Sequence, residues 1–193
     1  MKKSLYLLVL VVLLISVAFD VSAGTSIGGT SGGSGTSVKI PEFLFIPMHD
    51  GIGCGRCPVY TAPTMEAYRC NDGKAECNTN YDMYIGGFNN EGWLMVRYGT
   101  NNGATRVGYI PPKYVKNFKH WKKLDFSYVK TIAQSKINVT DNPMSNYSAF
   151  AYLDPGETYY ILGDYNYYGD WWYIECMVDG MIARGFIEKF IEK

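Results

Sequence analysis

Three short patterns occur twice in this chain, in the same order and at nearly the same spacing. Pro58-Val59-Tyr60-Thr61-Ala62-Pro63 answers Ile137-Asn138-Val139-Thr140-Asp141-Asn142-Pro143. Gly92-Trp93-Leu94-Met95-Val96-Arg97-Tyr98 answers Asp170-Trp171-Trp172-Tyr173-Ile174-Glu175-Cys176, and Gly108-Tyr109-Ile110 answers Gly185-Phe186-Ile187. Trp93 to Gly108 is 15 residues and Trp171 to Gly185 is 14. A duplicated unit restricts the fold more than any single segment does, because one geometry must serve both copies.

Each copy reads as short strands. Pro, Gly, Asn and Asp interrupt the chain every few residues, and no long stretch keeps a helical period. The apolar segments between them ("MYIGGF", "WLMVRY", "TRVGYI", "YYILGDY", "WWYIEC", "MIARGFI") are rich in Val, Ile and Tyr, which predicts an all-β fold. "SYVKTIAQSK" fits either a short helix or a strand, with Val129, Thr131 and Ile132 on the side of the strand.

The segments around the repeats set the organisation. Residues 1–23 carry Lys2 and Lys3, an apolar run and a small-residue site at Val21-Ser22-Ala23, the pattern of a secretory signal peptide. That run is too short for a permanent membrane span. Residues 24–40 are a Gly/Ser/Thr-rich linker. Residues 41–118 form the first repeat, with a cysteine-containing insertion, 119–134 a basic connector and 135–193 the second repeat. The expectation is a secreted protein, extracellular or associated with a cell wall. With 18 basic and 18 acidic side chains, the chain lacks the positive footprint of a nucleic-acid binder.

On these motifs the chain resembles tandem bacterial SH3 domains. In the second repeat, Leu153-x-x-Gly156-Glu157 precedes "TYYILG", a tryptophan strand follows, and Gly185-Phe186-Ile187 closes the unit. The first ends on Gly108-Tyr109-Ile110-Pro111-Pro112-Lys113-Tyr114-Val115, similar to the closing motif of SH3 domains. The opening strand departs from the family, with Thr140 and Asn142 where Arg and Gly are usual. The resemblance implies two small SH3-like β-barrels.

Side chains in a strand alternate between faces. Trp172, Ile174 and Cys176 therefore share one face of "WWYIEC" and Trp171, Tyr173 and Glu175 the other. The face bearing Glu175 is the one expected to look outward. Leu94, Val96 and Tyr98 are set against Trp93, Met95 and Arg97 in the same way. An outward Trp171 and Tyr173, next to Tyr165, Tyr167 and Tyr168, makes an exposed aromatic shelf suited to sugars or extended peptides. The alternative is that the other repeat, or the connector with Trp121 and Phe126, covers these rings. The SH3 resemblance implies a ligand groove of Trp93, Pro111 and Tyr114 in the first repeat. In the second it implies Trp171 with Phe190, where Glu188 stands in place of the proline. It also implies a cell-wall peptidoglycan or extended peptide as ligand.

Cys54, Cys57, Cys70 and Cys77 cluster in the first repeat, and disulfides are expected in an exported chain. Asn71-Asp72-Gly73-Lys74 reads as a hairpin turn with Cys70 and Cys77 on its arms. Of three possible pairings, closeness in sequence favours Cys54 with Cys57 and Cys70 with Cys77, and sequence does not decide among them. Four thiolates around a structural zinc are the alternative, although the second spacing is wide for such a site. Cys176 reads as a buried small hydrophobe. His49 and His120 are the only histidines. The reading is therefore of a binding protein, with no catalytic residue, metal or cofactor expected. The rivals are a structural module docking a protein partner and, less consistent with the chain's length, a cysteine peptidase.

Overall fold

β-Branched and aromatic residues between turn-forming Gly, Asn and Asp produce strands almost throughout. The computed structural model describes residues 38–48, 55–116, 122–144 and 148–189; the expected signal peptide, most of the linker, Cys54, both histidines, Trp121 and Phe190 lie outside them. The strands are β1 (Ile46–Met48), β2 (Arg56–Pro58), β3 (Glu76–Asn78), β4 (Met83–Phe88), β5 (Leu94–Gly99) and β6 (Thr105–Ile110), then β7 (Val129–Ile132), β8 (Ile137–Val139), β9 (Ala151–Leu153), β10 (Thr158–Tyr165), β11 (Trp171–Val178) and β12 (Met181–Glu188). One 3-10 turn, Pro112–Tyr114, follows β6.

Among the described residues the fold is all-β, in antiparallel sheets that do not close into a barrel. Four strands pair in the order β1-β4-β5-β6 and four more as β12-β11-β10-β7, with separate two-stranded pairs β2-β3 and β8-β9. Both halves thus run through an edge strand, a small hairpin and a three-stranded meander. Both carry a register shift at the same place, between Ile85 and Gly87 in β4 and between Ile161 and Gly163 in β10. β7 lies inside the stretch expected as connector, so the second sheet begins at Val129, and "SYVKTIAQSK" takes its strand option.

The paired glycines of the repeat have a common reason. A Cβ on Gly108 would sit 2.3 Å from Val59 Cγ1 and 2.9 Å from the Tyr60 carbonyl oxygen. On Gly185 it would sit 2.7 Å from Val139 Cγ1 and 2.8 Å from the Thr140 oxygen. At both places the opening segment crosses the last strand and exchanges two hydrogen bonds with it, Tyr60 with Tyr109 and Thr140 with Phe186. Only glycine lets two backbones approach that closely.

Three hydrophobic clusters result among the described residues. Leu94, Val96, Tyr98, Met83, Ile85 and Ile110 build the core of the first half. Ile174, Cys176, Ile161, Val139, Leu153 and Ile187 build that of the second, with Trp172 packed at its side. The third cluster draws on both halves: Tyr60, Trp93, Met95 and Tyr109 meet Tyr165, Trp171, Tyr173 and Phe186 around Phe43. The described residues form one compact unit.

Two straps reinforce that joint reciprocally. Ahead of β1, the Phe43 amide donates to the Asp164 carbonyl at the end of β10 (3.1 Å), and the Asp164 amide donates to Pro41 (2.8 Å). Ahead of β7, the Phe88 amide at the end of β4 donates to Lys122 (3.0 Å), and the Leu124 amide donates to Phe88 (2.7 Å). Each half therefore lends its entry segment to the other.

Candidate functional site

The pleat places the aromatic residues on the expected faces, but the second face does not meet water. Trp171 is 3% exposed, Tyr173 1% and Trp93 6%. Tyr165 is buried as well. Trp93 stands edge-on to Tyr60 at 5.5 Å, while Phe43 lies 5.5 Å from Tyr173 and 5.4 Å from Tyr165. The exposed shelf is thus corrected for Trp171, Tyr173, Tyr165 and Trp93. The physical reason is that two like faces rich in rings, linked in one chain, bury each other; each large ring gains about 1.5–3 kcal/mol by leaving water. The groove implied by the resemblance is dispersed too. Pro111 is buried, and Tyr114 packs on the core of the first half while Trp93 belongs to the joint.

Charge at the joint is matched by hydroxyls and rings. Arg97, on the Trp93 face of β5, is buried; it donates to the Tyr165 hydroxyl across the joint (3.3 Å) and lies over the rings of Tyr84 (4.0 Å) and Tyr168 (5.2 Å). Arg184 donates in the opposite sense, to the Tyr109 hydroxyl at 3.1 Å, and also to Tyr128 at 2.7 Å and Glu175 at 2.8 Å. Glu175 is therefore tolerated on the joint face because a guanidinium meets it. What survives of the shelf is Tyr167 and Tyr168, 63% and 41% exposed and edge-to-face at 4.5 Å, with Tyr84 near them on Arg97.

A polar cleft of about 820 Å³ offers more to a ligand. One wall is the β2-β3 hairpin with Arg56, Glu76, Cys77 and Asn78, continued by Asn71, Lys74 and Tyr81. The floor holds Tyr98 and Arg106, and the β5-β6 turn adds Thr100, Asn101 and Asn102. The second half closes the far side with Asp141 and Ser148 to Phe150. Arg106 and Asp141 pair across the two halves, as Arg56 and Glu76 pair along the hairpin. Among the described lining residues both acids are matched by arginines, Lys74 carries the remaining charge, and amides and hydroxyls dominate.

The thiols of the region are held in different states. Asp141 is buried, which raises its pKa despite the opposing Arg106 charge. Burial pushes the Cys70 thiol upward, and the Asp141 charge adds to the shift. In the core of the second half, away from the cleft, burial takes Cys176 up to about 12. Such thiols stay protonated, the reverse of what a thiolate nucleophile needs. Cys57 and Cys77 are directly opposite one another in β2-β3, with their sulfurs 3.5 Å apart. Cys77 thus stands opposite Cys57 and not opposite Cys70: the turn at Asn71-Asp72-Gly73 is present, but Cys70 meets Ala75 across it, and the chain has moved on before Cys77 reaches Cys57.

Asn78, Tyr81, Asn102, Arg106 and Asp141 escaped the sequence reading. The available signals were the Asn101-Asn102-Gly103 turn and the polar Thr140-Asp141-Asn142 run before Pro143. No family model, no curated protein and no solved structure matches the chain. No helix among the described residues is long and apolar enough to cross a membrane.

Proposed function

We propose that this chain is an exported, non-catalytic binding protein of two bacterial SH3-like repeats, and that its cleft takes a polar glycan or glycopeptide of a cell wall. One observation carries the reading: a large cleft shared by both halves, lined by Asn71, Asn78, Asn101, Asn102, Thr100 and Ser148 beside the rings of Tyr81, Tyr98 and Phe150. Amides and hydroxyls answer the donors and acceptors of an N-acetylated sugar, and a ring gives its flat face a surface to stack on. Ligand clefts commonly lie where two folded parts meet. The identical order of elements in the two halves supports the tandem SH3-like reading.

Calorimetric titration with soluble peptidoglycan fragments tests it. Tyr81→Ala and Asn102→Ala, both at exposed positions, are expected to weaken binding roughly threefold to tenfold each. Tyr168→Ala, outside the cleft, is expected to leave it unchanged. Undiminished binding in both cleft variants would overturn the assignment. The exposed Tyr167 and Tyr168 beside Tyr84 favour a second reading, docking of a protein partner. Under that reading Tyr168→Ala is the sensitive variant.

A further inference from the structure

Cys57 and Cys77 occupy the middle of the β2-β3 ladder, each the other's Cα partner. The ladder is held on either side, by the Val59 amide on Ala75 (2.9 Å) and the Thr79 amide on Gly55 (3.0 Å). Both side chains are buried and face each other with sulfurs 3.5 Å apart. We infer that these two residues form a disulfide in the exported protein, and that this bond locks the hairpin that makes one wall of the cleft.

Directly opposed residues in an antiparallel ladder have Cα atoms about 4.5–5.5 Å apart, inside the window a disulfide accepts. The sulfurs need to close by roughly 1.5 Å to reach bonding distance, a matter of side-chain rotation with the backbone in place. Either sulfur can donate to the other, and that contact lowers the pKa of Cys57 against the effect of burial. Cys77 lines the cleft, which gives a small oxidant its route.

Oxidation proceeds by exchange with a low-molecular-weight disulfide such as oxidised glutathione. The thiolate of the pair attacks one sulfur of the small disulfide, forms a mixed disulfide and releases one small thiolate. The second cysteine gives its proton to water and attacks the protein sulfur of the mixed disulfide, releasing the second small thiolate. Two protein thiols are oxidised to one disulfide, and one small disulfide is reduced to two thiols. The bond joins positions 20 residues apart, so it restricts the unfolded chain by closing that loop.

The test is peptide mapping of the full chain after incubation with oxidised glutathione, without reduction and with free thiols alkylated. It requires no variant and no knowledge of the ligand. A single cross-linked species joining the Cys57 and Cys77 peptides is expected, with a thermal midpoint roughly 5–10 °C above that of the reduced chain. Linkage of Cys57 to Cys54 or Cys70, or alkylation of both Cys57 and Cys77 after oxidation, overturns the inference. A cross-linked chain that melts no higher than the reduced one contradicts the locking role.

Discussion

Replacing Trp171 by Ala removes an indole from the middle of the joint, where it packs among Tyr165, Tyr173 and Phe186. A buried tryptophan truncated in this way costs about 3–5 kcal/mol, to be read as a shift of the urea midpoint. Tyr168→Ala, at an exposed ring, is expected to cost less than about 0.5 kcal/mol and so to leave that midpoint nearly unchanged. Gly185→Ala places a methyl group against the Thr140 carbonyl and should destabilise through displaced backbone, as Gly108→Ala should at Tyr60. Asp141 adds a pH dependence. In the folded chain burial holds its carboxyl above the ordinary 3.8, so the folded state binds this proton more tightly than the unfolded one. Its contribution is complete below 3.8 and is lost as pH rises through the raised value. Urea midpoints followed upward from about pH 3 to about pH 7 should therefore fall in the parent relative to Asp141→Asn.

At the scale of elements, the strands were legible and their partners were not. Alternation along Leu94 to Tyr98 and Trp172 to Cys176 fixes which residues share a face, and those faces are the two cores. The same alternation is silent on what covers the opposite face. Glu175 suggested water, because a lone carboxylate there would be costly; its actual partner, Arg184, comes from the neighbouring strand, and pairing of that kind leaves no periodic trace. The strap ahead of β1 was hidden for a similar reason. Nothing in "PEFLF" announces that it will pair with the other half, whereas the alternative that Phe126 of the connector covers the rings is met by its packing on Tyr173 and Phe43. Phe43→Ala should accordingly speed hydrogen exchange at the Asp164 amide, which lies in the second half. Equal protection in parent and variant would remove the strap from the account. The cleft was illegible because its lining is gathered from two hairpin turns and a loop of the second half.

For the whole molecule, duplication supplies both the fold and its surface. Each half presents a ring-bearing face, the two faces bury each other, and the polar cleft proposed as the binding site lies where the halves also meet. Native-state hydrogen exchange on the parent and on Trp171→Ala tests this fusion most directly, read at the slowest amides of β5 in the first half and β11 in the second. Both sets are expected to share one opening free energy and to lose protection together by a similar amount. Loss confined to β11, with β5 as protected as before, would show two independent halves and contradict it.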